Sequence, residues 1–300
     1  MAVVTTGFFD GVHLGHRHVL ETVVSSARER GEEAIVVTFW PHPRTVLQQD
    51  ARDFRLLSSL EEKRERLLAL GIDRVEVLPF TREFAALKAD EYLHFLRKRF
   101  GTTLVVMGYD NRIGSDHLTA AACAELPENA HRMDFSVLAC AELPDYAHGG
   151  VVSSTQIRKA LEEGRVEDAN GMLGYEYELY GVVVSGNRLG RTIGFPTANM
   201  QLYEPLKLVP GNGVYAVAVE VTGRQFRGMC NIGLRPTVDG KVRTIETHIL
   251  DFDEDIYGLP LRLRFLRRIR DERKFPSLNA LKEQLLQDKQ LCYGEICFHS

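Results

Sequence analysis

The chain has 300 residues, 44% hydrophobic and 26% charged, with a formal net charge of −4 and five cysteines. Its length suggests two domains, and its mild acidity gives no general affinity for nucleic acid or an anionic membrane. No apolar run reaches spanning length, no basic region and cleavable apolar stretch precedes Val3-Val4, and the odd, scattered cysteines read as reduced thiols. Small-molecule work in the cytoplasm is the expectation.

Ala2-Val3-Val4-Thr5-Thr6 reads as a buried strand and His18 to Arg30 as an amphipathic helix closed by Gly31. Between them lies Gly7-Phe8-Phe9-Asp10-Gly11-Val12-His13-Leu14-Gly15-His16. At such a crossover the helix N-terminus favours an anion. Gly11 admits positive φ, and Gly15 lacks the Cβ that would hold a phosphate away. His13 and His16 then face one ligand. Zinc would also accept two histidines, but no further ligand lies at metal spacing, and the long loop motif suits nucleotide phosphates better.

Ala34 to Phe39 reads as the next strand, and Ser59 with Glu62 forms a capping box opening a helix that ends at Gly71. Trp40-Pro41-His42-Pro43-Arg44 either borders the nucleotide site or is a proline-held turn. Arg74 to Leu78, Asp90 to Phe100 and Leu104 to Gly108 continue the alternation as strand, helix, strand. Apolar strands separated by helices imply a parallel, Rossmann-like sheet. Its ligands bind beyond the strand carboxyl ends, where Gly7–His16 and the Gly108–Gly114 loop with Asp110 converge. Val151 to Arg158 ends a strand and opens a helix to Gly164, with Ser153 and Gln156 spaced as a capping box. Ser154 and Thr155 add hydroxyl donors and Arg158 a guanidinium for phosphate oxygens, although a well-capped surface helix explains the same residues.

From about Glu178 the pattern changes. Strands at 179–184, 213–221 and 246–250 are divided by Gly-rich turns with no crossover helix, which argues an antiparallel barrel or sandwich, and Ser277 to Lys289 adds one closing helix. The change falls within Asn170 to Tyr177, giving domains 1–173 and 174–300. Gly186, Gly190 and Gly194 let backbone follow phosphates in Gly186-Asn187-Arg188-Leu189-Gly190-Arg191-Thr192-Ile193-Gly194-Phe195-Pro196-Thr197-Ala198-Asn199, though such glycines also serve ordinary turns. Thr197 and Asn199 point the same way on an extended chain and offer two oxygens to one magnesium ion. The arginines at 262, 264, 267, 268 and 270 alternate at first with Leu261, Leu263 and Phe265. A strand with one solvated face accounts for them better than RNA binding.

His13-Leu14-Gly15-His16 followed by Ser153-Ser154-Thr155-Gln156-Ile157-Arg158 resembles the nucleotidyltransferase superfamily. Asn231 to Thr237 and Ile245 to Phe252 resemble riboflavin kinases. With Arg270-Asp271-Glu272-Arg273-Lys274-Phe275, nearly the whole chain is similar to the prokaryotic bifunctional riboflavin kinase/FAD synthetase family. The resemblance implies an α/β Rossmann-like nucleotidyltransferase domain, then an all-β antiparallel riboflavin kinase barrel with a C-terminal helix. It implies ATP-dependent phosphorylation of riboflavin to FMN by the second domain, and adenylylation of FMN to FAD with release of pyrophosphate by the first, with Mg2+. Riboflavin, FMN and ATP are then the partners, without nucleic acid or membrane; the oligomeric state stays open. Glu246 matches the base of the kinase step, Thr197 and Asn199 the magnesium pair, and His13 and His16 the adenylylating histidines. Phe9, Asp10, Gly11, Gly15, Asp110, Ser153, Ser154, Thr155 and Arg158 would contact nucleotide in the first half, and Gly186, Gly190, Arg191, Gly194 and Pro196 in the second. The chain departs from the family where Gly108-Tyr109-Asp110-Asn111-Arg112-Ile113-Gly114 stands for Gly-x-Asp-Phe-x-Phe-Gly. That departure keeps two alternatives open: a kinase with a weakened adenylylating half, and a non-catalytic flavin or nucleotide binder.

Overall fold

The computed structural model describes the chain except residues 48–53, 127, 128, 130–134, 141–143, 146–149, 187, 188, 238, 239 and 295–300. It divides into two compact units, Met1–Ser154 and Thr155–Ser300.

The first unit runs β1 (Ala2–Thr6), α1 (Leu14–Arg30), β2 (Glu33–Trp40), α2 (Pro43–Leu47), α3 (Leu60–Ala69), β3 (Arg74–Pro79), α4 (Arg82–Ala85), α5 (Ala89–Phe100), β4 (Thr102–Met107), α6 (Ala120–Ala124), β5 (Ser136–Ala139) and the short pair β6 (Pro144–Asp145) and β7 (Gly150–Val151). Five parallel strands form one sheet in the order β3-β2-β1-β4-β5. Successive side chains of a strand leave opposite faces, and here both faces are buried. Val3, Ala34, Val36, Leu104 and Val106 pack with Leu20 and Val23 of α1, whereas Val4, Ile35, Val37, Val105 and Met107 pack with Leu93 and Leu96 of α5. Strand order reverses between β1 and β4, the switch point where such sheets bind ligands.

Helix α1 begins four residues before the expected His18. His13 is its N-cap, with φ −70° and ψ 174°, and its imidazole accepts from the His16 N–H. Histidine is not among the preferred N-cap residues, so the start carries no ordinary sequence signal. The capping box of α3 is present in full: Ser59 N–H donates to Glu62 at 3.0 Å and Glu62 N–H to Ser59 Oγ at 3.1 Å.

The second unit opens with α7 (Ser154–Glu162), whose first residue closes the first unit, and α8 (Val166–Leu173). It continues through β8 (Glu178–Val184), α9 (Leu189–Thr192), β9 (Ala198–Leu202), β10 (Gly213–Val221), β11 (Arg224–Thr237), β12 (Gly240–Ile249), β13 (Pro260–Arg270) and α10 (Leu278–Gly294). The six strands close into an antiparallel barrel, β10-β11-β12-β9-β8-β13, which leaves no free edge. The stretch read as the change of fold carries the end of α8, capped by Gly174 at φ 73°. Asn170 ties it down, its amide nitrogen donating to Phe265 O at 2.8 Å and its oxygen accepting from Tyr177 N–H at 2.7 Å. On β13, Leu261, Leu263 and Phe265 are buried while Arg262 and Arg264 pair with Glu178 and Glu176 at 3.7 and 2.9 Å. Arg262 and Arg264 thus share one face of a barrel strand, whereas Arg270 pairs with the buried Asp288. Among the described residues, no helix is long and apolar enough to cross a membrane, and Cys123, Cys140, Cys230 and Cys292 are free and buried.

Candidate active sites

In the first unit, a cleft of about 330 Å³ opens at the β1/β4 switch point. Phe9, His13, Gly15, His16, Asp110, Ser153 and Ser154 line it together with Thr5, Thr6, Tyr109 and Asn111. The β1–α1 loop that shapes it holds three residues in the left-handed region, Phe9 (φ 51°), Gly11 (φ 81°) and Val12 (φ 40°). For a β-branched valine this is a genuine outlier, and such strain persists only where surroundings enforce it, at about 1–3 kcal/mol per residue.

Those surroundings include Asp10 and Gly11, which do not line the cleft. The Asp10 carboxylate accepts from the N–H groups of Leu57 at 3.0 Å and Ser58 at 3.1 Å, and Gly11 N–H donates to Ser58 Oγ at 3.1 Å. These two residues brace the loop from behind. Ser154 Oγ donates to Asp10 O at 3.1 Å. At Gly15 a Cβ would stand 3.3 Å from both the His13 ring and Val152 O, so a side chain there would crowd the cleft wall.

The His13 and His16 rings stack with centroids 3.6 Å apart, and Phe9 meets His16 edge-on at 5.3 Å. Because His13 Nδ1 accepts the His16 N–H, a neutral His13 carries its proton on Nε2. Burial first, then the neighbouring His13 and Lys63, hold the His16 pKa well below the ordinary histidine value. His16 Nδ1 is buried and makes no hydrogen bond within the protein. A buried imidazole lacking a polar partner is what a ligand donor or acceptor would satisfy.

The departed loop after β4 has a local structural account. Asn111 donates from its amide to Thr6 O at 2.9 Å, tying the loop to the end of β1. Ile113 joins the buried cluster with Ala89 and Leu93, filling apolar space. Gly114 sits at φ 76°, and a Cβ there would overlap Ala89 N and the Asp116 carboxylate that caps α5. Beside this loop's cleft, His42 of the Trp40–Arg44 segment packs edge-on against Phe8 at 3.9 Å.

In the second unit two cavities meet at Thr197. One, about 310 Å³, is lined by Glu246, Asn231, His248 and Gly190 with apolar Val214, Met229, Phe275, Leu281 and Leu285. The other, about 200 Å³, is lined by Pro196, Thr197 and Ala198 with Phe252 to Tyr257. Strand register assembles the polar groups: Glu246 pairs with Asn199 across β12–β9 and with Asn231 across β11–β12. Directly paired residues share a face, so the three side chains lie in a row. Thr244 Oγ1 donates to Glu246 Oε1 at 3.2 Å. A Cβ on Gly186 would overlap the Asn199 amide, and one on Gly190 the Phe195 carbonyl. Gly194 turns at φ 84°.

Sequence reasoning missed three supports here. His248, buried on β12, donates from Nδ1 to Pro196 O at 2.8 Å and so fixes the Pro196-Thr197 turn; burial is the main cause of its lowered pKa. Arg270, on the cavity wall, is held by the fully buried Asp288 of α10 at 2.8 Å. Gln284 donates to the same carboxylate at 2.7 Å. An Arg and an Asp eighteen residues apart on different elements leave no local pattern to read.

Of the remaining expected contacts, Thr155 and Arg158 belong to the second unit on α7. Asn187 and Arg188 lie outside the described residues, as does the side chain of Arg191.

Comparisons with known proteins agree on the chain's relatives. A family model described as FAD synthetase matches residues 1–156, and one described as riboflavin kinase matches 173–293. The chain is 36% identical to the bifunctional riboflavin kinase/FMN adenylyltransferase of Bacillus subtilis, covering 96% of this chain and 90% of that protein. The Escherichia coli K12 protein of the same name gives the same identity and coverage. A Streptococcus pneumoniae crystal structure described as a macrolide-efflux protein is 34% identical with a TM-score of 0.90, over 97% of this chain and 93% of that one.

Proposed function

The chain belongs to the bifunctional riboflavin kinase/FMN adenylyltransferase family, and on that premise we propose that it phosphorylates riboflavin to FMN in the barrel and adenylylates FMN to FAD in the Rossmann-like unit. The observation that carries this reading is that each unit has its own ligand-sized cavity with its own reactive set, His13 and His16 in one and Glu246 in the other.

For adenylyl transfer, an FMN phosphate oxygen attacks the α-phosphorus of ATP and pyrophosphate leaves. Negative charge builds on the transferred group and on the leaving group, and fixed donors stabilise it. His13 offers Nε2–H, Ser153 and Ser154 offer hydroxyls, and the N-terminus of α1 offers backbone N–H groups. His16 is neutral in the free protein, and phosphates in contact with it raise its proton affinity. Neither histidine needs to act as a nucleophile.

For phosphoryl transfer, Glu246 takes the proton from the ribityl hydroxyl as that oxygen attacks the γ-phosphorus, the bond from the γ-phosphorus to the β,γ-bridging oxygen breaks and ADP leaves. We assign the flavin to the cavity that holds Glu246, whose wall of Val214, Met229, Phe275, Leu281 and Leu285 suits a flat apolar ring. The nucleotide takes the neighbouring cavity, so that the reacting atoms meet at Thr197, which lines both. Thr197 and Asn199 would hold Mg2+, which when bound neutralises charge on the phosphates. Two neutral oxygen donors fit an ion that draws most of its ligands from water and phosphate. No cluster of three or more His, Cys, Asp or Glu gathers at a metal-ligating distance among the described residues. The reactions draw on ATP and flavin of the cytoplasm.

Incubation with riboflavin, ATP and Mg2+, followed by separation of flavins, should show FMN and then FAD. FMN alone would favour a kinase with a silent adenylylating half; neither product would reduce the chain to a binder.

A further inference from the structure

The adenylylation cleft is short of positive charge. Among the described residues that line it there is no lysine or arginine, and its acidic side chain is Asp110. A nucleoside triphosphate placed there needs cationic charge from beyond the lining. Behind the β1–α1 loop sits Lys63 of α3, 1% exposed and unused by the chemistry above. Its Nζ donates to Phe8 O at 2.8 Å and to Thr38 Oγ1 at 3.2 Å, and lies 3.7 Å from the centroid of the Phe8 ring. Thr38 Oγ1 also donates to Phe8 O, at 3.2 Å. Phe8 immediately precedes the left-handed residues Phe9, Gly11 and Val12, so its carbonyl is the point at which β1 hands over to the strained loop.

Stability alone is a poor reason for a lysine at this position. Burial pushes its pKa down to about 8, against the pull of Asp10, so the folded state holds the ammonium at a cost. The charged and titratable groups around it are Asp10 of the loop and His16 of α1, and the Lys63 charge already depresses His16. A field that reaches the His16 ring reaches an anion bound against that ring.

We infer that Lys63 is a positioning residue for adenylyl transfer, a buried ammonium that fixes the Phe8 carbonyl under the strained loop and supplies positive charge from behind to phosphates in the cleft. This rests on the adenylylation reading of the cleft. Lys63→Met keeps the volume and removes the charge. It should lower kcat/KM for ATP in FAD formation at least tenfold, leave FMN formation within twofold of wild type, and melt no lower than wild type. The His16 titration, followed by NMR in the free protein, should move up. Thr38→Val keeps the charge and should cost less activity with His16 unmoved. Undiminished FAD formation by Lys63→Met would overturn the proposal, as would a loss matched by a lower melting temperature with His16 unmoved. Should Lys63→Met fail to fold, the Lys63 Nζ resonance of wild-type protein decides: its pKa should rise when MgATP is added, and an unchanged pKa overturns the proposal. Wild-type protein that makes FMN but no FAD overturns the reading of the cleft itself.

Discussion

The first cleft takes its polar groups from strand ends, helix starts and the loops between them, with backbone held in the left-handed region at Phe9 and Val12, whereas the barrel site takes Asn199, Asn231 and Glu246 from adjacent positions on three hydrogen-bonded strands. A loop site needs anchors from outside, and it has them in Ser58, Thr38 and Lys63. A strand site needs only register, because the ladder that forms the barrel also sets the row of side chains. Damage to the first should therefore come from residues that never touch substrate, and damage to the second from the row itself and from what closes its cavity.

The largest effect should come from Glu246→Gln, which removes the proposed proton acceptor and should cut FMN formation by about 10²–10⁴-fold, with FAD formation from supplied FMN unchanged. Loss of both activities would break the separation. His16→Ala should do the reverse, lowering FAD formation by about 10²–10³-fold at wild-type FMN formation. Asp288→Ala strands the Arg270 guanidinium on the cavity wall and should destabilise the barrel by about 3–5 kcal/mol, the usual cost of breaking a buried ion pair, measured as the denaturant midpoint of the second unit. Gly186→Ala pushes a Cβ into the Asn199 amide and should raise the KM for MgATP in the kinase step about tenfold while leaving adenylylation alone.

The smallest effect concerns pH. His16 and His248 both have pKa values lowered chiefly by burial. Between the ordinary histidine value near 6.5 and the folded value, the unfolded chain binds more protons, so stability is fully present above about pH 6.5 and falls as the pH drops below it. Both units should therefore lose stability as the pH falls from 7.5 to 5.5. Thermal melts of His16→Gln should show a smaller loss over that interval than wild type.

The sequence was most readable where local chemistry decides structure. Continuous apolar runs buried on both faces in β1, β2 and β4, the Ser59–Glu62 box, and helix-ending glycines at Gly31 and Gly164 all follow from short-range rules. The antiparallel second half was readable as a barrel or a sandwich; closure depends on β10 pairing with β13, about fifty residues away, which no local pattern encodes. The motifs singled out residues that line cavities in both units, and Asp10 and Gly11, expected at the nucleotide, hydrogen-bond to Leu57 and Ser58, partners no motif announces. Lys63 was invisible because it reads as one polar residue on a charged helix, and its burial is a tertiary fact. Asn111 and Ile113 were legible as departures but not as replacements: one bonds the β1 terminus and the other fills the core.

The claim of two chemically independent sites is tested most directly by complementation. Glu246→Gln and His16→Ala proteins are each incubated with riboflavin, ATP and Mg2+, separately and mixed, and the flavins are separated over time. Neither protein alone should form FAD, His16→Ala alone should accumulate FMN, and the mixture should convert that FMN to FAD. A mixture that accumulates FMN but makes no FAD would contradict the account.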